Sequence, residues 1–186
     1  MEEKTQEKQP FFSAKKIAVM AIMTALAYCV QLIEFPIFPA ASFLELDFSG
    51  VFILLVGFLY GPVEGIIVLV VKELLHIPIG STGGVGELAN IIAMTVFLLV
   101  PSIVYRFRKG LKVVIPCLVV ATVLLGLVSL PVNRFINFPF YMHEAAGEYF
   151  SNLWYFVLAF NLIKGAALSI VTCLLYKPLS RILRKF

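Results

Sequence analysis

The chain has 186 residues, 61% of them hydrophobic and only 14% charged. Soluble domains average about half apolar and a quarter charged, so this balance excludes an ordinary soluble domain and predicts one integral membrane domain. The formal net charge of +4 invites a nucleic-acid partner, but the basic residues sit in clusters that cap apolar runs, which argues for a lipid bilayer and no nucleic acid.

Residues 1–14 form a polar N-terminal arm. The first predicted span follows, from about residue 16 to 33, the length of a membrane crossing. Lys15-Lys16 ahead of Ile17–Tyr28 has the outline of a signal peptide. An n-region with glutamates and the further spans downstream predict that it is retained. Ala14, Ala18, Ala21 and Ala25 share one face of this span. Small residues let a second helix approach closely in lipid, either inside this bundle or from another subunit.

The second span runs from about 48 to 60 and the third from about 63 to 76, both shorter than the ~20 residues of a full crossing, so they are tilted, irregular or sheltered by protein. Tyr60–Gly65 is a Gly-Pro turn and Ile77–Gly86 a Gly-rich loop. The fourth span runs from about 87 to 105, the fifth from about 113 to 131 and the sixth from about 153 to 176. Phe135–Glu144, rich in aromatics and proline, reads as an interfacial loop between the last two. Residues 177–186 are a basic tail. Cys29, Cys117 and Cys173 all lie in apolar runs and are expected to be buried small hydrophobes without a disulfide pattern.

These elements predict an all-α membrane protein of six transmembrane helices, a single domain over residues 1–186. With both termini in the cytoplasm, the inner segments hold 12 Lys and Arg and the outer loops hold one, Arg134. That asymmetry supports the span count and the orientation together. The outer loops carry Glu34, Glu45, Asp47, Glu144 and Glu148, which weigh less on topology.

Polar residues within the spans are costly and mark candidate sites. Asn161 and Lys164, three apart, share a face of the sixth span. Lys164 could snorkel to a headgroup, join a structural ion pair or face a water-accessible cavity. In the third span Lys72 and His76 share a face and Glu73 turns partly away, where it could neutralise Lys72 or Lys164. Glu87 and Asn90 open the fourth span, and Asn133 follows Pro131 at the end of the fifth. Under the derived topology Lys72, Glu87, Asn90, Asn133, Asn161 and Lys164 all fall in the outer half. They predict a pocket that opens outward, with loops 36–47 and 77–86 placed to cover it. No metal-ligand spacing, nucleophile elbow or phosphate-binding Walker motif is present, so a binding site without catalysis is expected, with neither enzyme activity nor cofactor. Glu73 and His76 alone are a weak metal pair.

Five stretches carry a family resemblance: Leu46–Gly65, Lys72–His76, Gly80–Ile92, Asn133–Tyr141 and Phe160–Gly165. In this order they resemble the substrate-binding S components of energy-coupling factor (ECF) transporters, in particular the riboflavin-specific (RibU) type. The resemblance covers nearly the whole chain. It implies a six-helix vitamin-binding subunit that works with a coupling transmembrane subunit and two cytoplasmic ABC ATPases. ATP hydrolysis would tip the subunit over in the bilayer, releasing vitamin inside. It also implies that the alanine face of the first span docks on the coupling subunit, and that Asn161, Lys164 and Asn133 recognise the flavin ring, helped by the loop near Glu45 and Leu46. Two departures stand out: Val51-Phe52 where many relatives have a proline, and Lys72-Glu73 where many have Lys-Asn.

A flat, apolar-faced ring with polar edges suits such a pocket. Asn161 would offer a donor and an acceptor to the imide edge, and Lys164 a donor to a ring carbonyl. Two other classes compete: an ion-coupled secondary transporter, for which Glu73 or Glu87 would carry the coupling ion, and an intramembrane enzyme. An S component for a different vitamin is the nearer alternative.

Overall fold

The computed structural model describes residues 13–80 and 82–183, with side chains through Tyr176. The N-terminal arm up to residue 12, Ser81 in the Gly-rich loop, and the side chains of the basic tail lie outside the described residues.

Helix α1 spans Ala14–Gln31, and its first turn is capped by Ser13, whose hydroxyl accepts from the Lys16 amide at 3.3 Å. A two-residue strand pair follows, β1 (Phe35–Pro36) antiparallel to β2 (Glu45–Leu46), with Phe35 opposite Leu46. Next come α2 (Gly50–Leu59), α3 (Pro62–His76), α4 (Val85–Phe107) and α5 (Leu111–Val132). A π-helical turn (Asn133–Asn137) leads into the short α6 (Phe138–Met142), and α7 covers Ala146–Leu183. Helices α1–α5 and α7 overlap the six stretches expected to be helical, and α7 extends beyond its expected 153–176 at both ends. Three helical segments, Ala14–Gln31, Val85–Phe107 and the continuous stretch Leu111–Tyr176, are long and apolar enough by length and composition to cross a bilayer.

Three expectations are corrected. The expected all-α fold is mostly helical among the described residues but also holds a two-residue strand pair, too short to leave a readable alternation in the sequence. Phe135–Glu144 is not a loop: Pro139 sits at the start of α6, where a proline costs no hydrogen bond, and the chain stays helical almost throughout. The cysteines are free, but Cys29 is exposed and Cys117 and Cys173 are only half-buried. An apolar residue in a membrane helix meets lipid as readily as protein, so apolar context does not predict burial.

The short α2 is sheltered: Ile53, Leu54 and Val56 have no exposed surface, and the helix packs against α1, α3, α4 and α7. Phe97, Leu98, Leu118 and Leu168 complete this main core. A second, smaller core gathers Ala41, Leu44 and Leu46 of the segment between α1 and α2 with Phe138, Val157 and Phe160. Leu26, Val119, Val123 and Ile170 are exposed on the outer faces, as a lipid-facing surface requires.

Helices α5 and α7 run antiparallel along a seam of small residues. A Cβ at Gly126 would lie 2.9 Å from Leu162, and one at Gly165 would lie 2.9 Å from the Thr122 methyl and 3.2 Å from the Thr122 Cα. The Cα belongs to backbone and cannot move aside. Gly165→Val is therefore expected to cost about 1–3 kcal/mol by overpacking, which lowers the melting temperature of detergent-purified protein by several degrees. The control is Ala166→Val on an exposed position. Equal melting temperatures for the two variants would contradict this account of the seam.

Candidate ligand-binding cleft

The C-terminal ends of α1, α3 and α5 and the N-terminal ends of α2 and α4 meet at one end of the bundle, beside the middle of α7. They surround a cleft enclosing about 720 Å³ of non-protein space, its open mouth included. At 1.5 Å per residue, α4 carries the chain about 30 Å from Glu87 to its end at Phe107, so the basic 106–112 loop lies at the opposite end. The Tyr60–Gly65 turn shares that opposite end, where Lys16 of α1 forms an ion pair with Glu64 of α3.

A closed ring of polar contacts forms the floor. Lys164 Nζ donates to Asp47 Oδ2 at 2.8 Å and to Asn90 Oδ1 at 3.3 Å. Asn90 Nδ2 donates to Glu73 Oε1. The same Glu73 oxygen lies 2.6 Å from Lys72 Nζ, which donates to Ser49 Oγ at 3.0 Å. Ser49 Oγ donates to Asp47 Oδ1, which also accepts from the Ser49 amide at 2.9 Å. An aspartate bonded two residues ahead is a common turn device, and here it aims the carboxylate's second oxygen at Lys164. Two cations and two anions thus alternate with a hydroxyl and an amide, and Gln31 Nε2 braces Glu73 from α1 at 3.1 Å. Burial alone would raise the Asp47 pKa, but the adjacent Lys164 and Lys72 hold its carboxyl well below the usual range.

Nearer the mouth, His76 stands between two carboxylates, with Nδ1 3.0 Å from Glu87 and Nε2 3.4 Å from Glu34. Glu87 also accepts from the Thr82 hydroxyl. The Gly-rich loop can wrap this closely because Gly83 and Gly84 adopt φ of 59° and 92°, which L side chains rarely do. Glu34 lies between α1 and β1, near enough to Glu45 of β2 to feel its charge. Burial, then that neighbouring charge, push its carboxyl up to about 7 against the pull of His76.

Of the residues singled out in sequence, Asn90, Asn133, Asn161, Lys164 and Glu45 line the cleft. Lys72 and Leu46 do not: Lys72 is sealed behind Glu73 with no exposed surface, and Leu46, pointing oppositely to Glu45 along β2, packs in the second core. Glu73, read as turned partly away, faces the cleft. Lys164 neither snorkels nor points at lipid. Its ammonium is held by Asp47 at the cleft wall, which makes it at once an ion-pair member and a lining group. The alanines at 14, 18, 21 and 25 are all exposed, since α1 packs through Met20, Met23, Ala27 and Gln31 on its other side.

Several lining residues were missed. Asn137, one turn after Asn133, donates to its Oδ1 at 2.9 Å; the i, i+4 spacing was a usable signal, hidden by reading a loop there. Gln31 ends a helix that from Ile17 onward is apolar but for Thr24, a signal of the same kind. Phe43 and Phe160 supply aromatic walls. Asp47 carried no signal linking it to a lysine 117 residues away.

The arrangement suits a planar solute with polar edges. Apolar walls would cover its faces while amides and an ammonium, already fixed by neighbours, meet its rim. The chain is similar to known proteins over most of its length. Riboflavin transporter RibU of Staphylococcus aureus (strain TCH60) is 35% identical over 176 residues, 92% of this chain and 93% of that protein. Riboflavin transporter FmnP of Bacillus subtilis (strain 168) is 29% identical over 171 residues, covering 87% and 90%. A solved S component of a bacterial ECF transporter superposes with a TM-score of 0.81 at 35% identity, over 91% of this chain and 97% of that one. The family model described as ECF transporter, substrate-specific component matches residues 15–176, a range that takes in the whole cleft, and the chain belongs to that family.

Proposed function

We propose that the chain is the riboflavin-binding subunit of an ECF-type ABC vitamin importer, which captures the vitamin from outside the cell and releases it inside when coupled to the ATPase module. The observation that carries this reading is the convergence of Asn90, Asn133, Asn161 and Lys164 on one cleft in a chain 35% identical to a riboflavin transporter over nearly its full length. The subunit sits in the cell membrane with α1–α5 and α7 as its six crossings and both termini cytoplasmic. The basic 106–112 loop at the end opposite the cleft supports this orientation. Its partners are riboflavin, a coupling transmembrane subunit and two cytoplasmic ATPases.

In the cleft, Asn161 uses one N–H on the Val157 carbonyl at 2.9 Å. Its second N–H and its carbonyl oxygen remain to meet the donor–acceptor edge of the ring. Lys164, fixed by Asp47 and Asn90, presents its third donor to a ring carbonyl. The ring faces rest against Phe43 and Phe160. Lys72 acts from behind: it balances Glu73, so that Asn90 and Gln31 are held in place. The exposed alanine face of α1 offers the coupling subunit a surface that backbone can approach closely.

Wild-type protein purified in detergent is expected to be yellow or to quench added riboflavin fluorescence, and a colourless protein that does neither rejects the assignment. Asn161→Ala and Lys164→Ala each leave a polar ligand edge unpaired, which costs about 1–3 kcal/mol of affinity, roughly 5- to 150-fold. Quenching titrations measure this, and wild-type affinity in both variants would refute the roles given to them. Ala18→Leu with Ala21→Leu is expected to abolish co-purification with the coupling subunit while riboflavin quenching persists. A complex that survives both substitutions removes the docking role from this face.

A further inference from the structure

Three parts of the chain meet at one imidazole. His76, in the last turn of α3, has a carboxylate at each ring nitrogen: Glu87 of α4 lies 3.0 Å from Nδ1, and Glu34, between α1 and β1, lies 3.4 Å from Nε2. The His76 side of this junction is firmly held. The amides of Ile79 and Gly80 donate to the His76 carbonyl at 3.0 and 2.9 Å, and the Gly-rich loop runs so close that a Cβ on Gly80 would strike both Glu87 and the ring. Glu34 is held less firmly. Its neighbours Ile33 and Phe35 are exposed, and its own inward-turned carboxyl ties this stretch to α3.

Hydrogen counting sets a condition on that tie. A carboxylate only accepts, and Glu87, which also accepts from Thr82, takes the hydrogen on Nδ1. A neutral imidazole has no second hydrogen, so Nε2 turns a lone pair toward Glu34. With Glu34 ionised, two acceptors face each other there. One further proton, on Nε2 or on Glu34, makes the contact attractive. The other charges acting on Glu34 are Glu45 of β2, Asp47 ahead of α2 and Lys164 of α7. Asp47 and Lys164 are paired with each other, which leaves Glu45 as the like charge that favours keeping the proton. Tyr141 of α6 completes the surroundings, beside Thr82 and Glu87.

We propose that one proton shared by Glu34 and His76 latches the segment between α1 and α2 to the rim formed by α3 and α4, so that this cover closes in acid and loosens as the medium turns alkaline. Held in place, Glu34 ionises only at about 7, pushed up first by burial and then by Glu45; swung into water, it ionises near its ordinary 4.5. The stabilisation of the closed cover is therefore complete below about 4.5 and is lost as the pH rises through about 7. The latch acts without a solute and holds whatever the cleft takes.

Hydrogen–deuterium exchange of the solute-free full chain in detergent tests this, read on peptides covering residues 33–46. Exchange is expressed as protection against the free-peptide rate at the same pH, which removes the chemical effect of hydroxide. Wild-type protection is expected to fall by about fivefold or more between about pH 5 and about pH 8. In Glu34→Gln it should stay level within about twofold, because the side-chain amide donates to a neutral ring and accepts from a protonated one. Glu45→Gln removes the like charge beside Glu34 and should move the midpoint of the fall to lower pH. Protection of α2 reports that each variant is folded. Level protection in wild type overturns the proposal, as does an equal fall in Glu34→Gln or a midpoint unmoved in Glu45→Gln. Should Glu34→Gln lose protection in α2, the midpoint in Glu45→Gln decides alone.

Discussion

The cleft depends on the ring that joins Lys164, Asp47, Ser49, Lys72, Glu73 and Asn90. A single lysine or carboxylate at this depth would be prohibitive, and an isolated buried ion pair gains little over apolar packing. Here each charge answers to at least two partners and the sum is zero. The members come from α7, the entry to α2, α3 and α4, so electrostatic neutrality and helix placement are one condition. Removing one of its four charged members strands a charge on the partner, which in buried pairs costs about 3–5 kcal/mol. The polar edge of the cleft is therefore set before any solute arrives, and little ordering remains to be done on binding.

The two departures from the family pattern read differently with this ring in view. Glu73, an acid where many relatives carry an amide, supplies the counter-charge that lets Lys72 be fully buried. It also positions Asn90 through a hydrogen bond. Val51, where a proline is common, is buried in the main core at 2% exposure. An apolar side chain fills that space without altering the turn at Asp47 and Ser49.

Much of the fold was legible because the bilayer imposes simple rules. The basic cluster at 106–112 marked the break between α4 and α5, and helical counting put Asn161 and Lys164 on one face of the last long helix; α7 itself runs on into the basic tail as far as Leu183. What sequence withheld was rotation and pairing. Helical spacing puts Lys72 and His76 on a common face but does not say which face looks inward; the structure turns Glu73 and His76 to the cleft and buries Lys72 behind them. The Asp47–Lys164 pair joins residues far apart in the chain, which no local pattern encodes. Cys29 and the segment at 133–145 misled for a related reason. Lipid accepts apolar side chains without burial in protein, and proline at the first turn of α6 marks a helix start as readily as a loop.

The presence of two cores has a thermodynamic consequence. The segment between α1 and α2 rests on its own small cluster, built around Ala41, Leu44, Leu46 and Phe138 and separate from the packing that holds the bundle together. Lifting its tip, residues 37–44, off that cluster gives up a handful of apolar contacts while the strand pair, the Asp47–Lys164 pair and the main core stay intact. Opening at that tip is a local equilibrium, shallower than global unfolding. A solute that touched both this segment and the floor would draw the equilibrium shut by mass action.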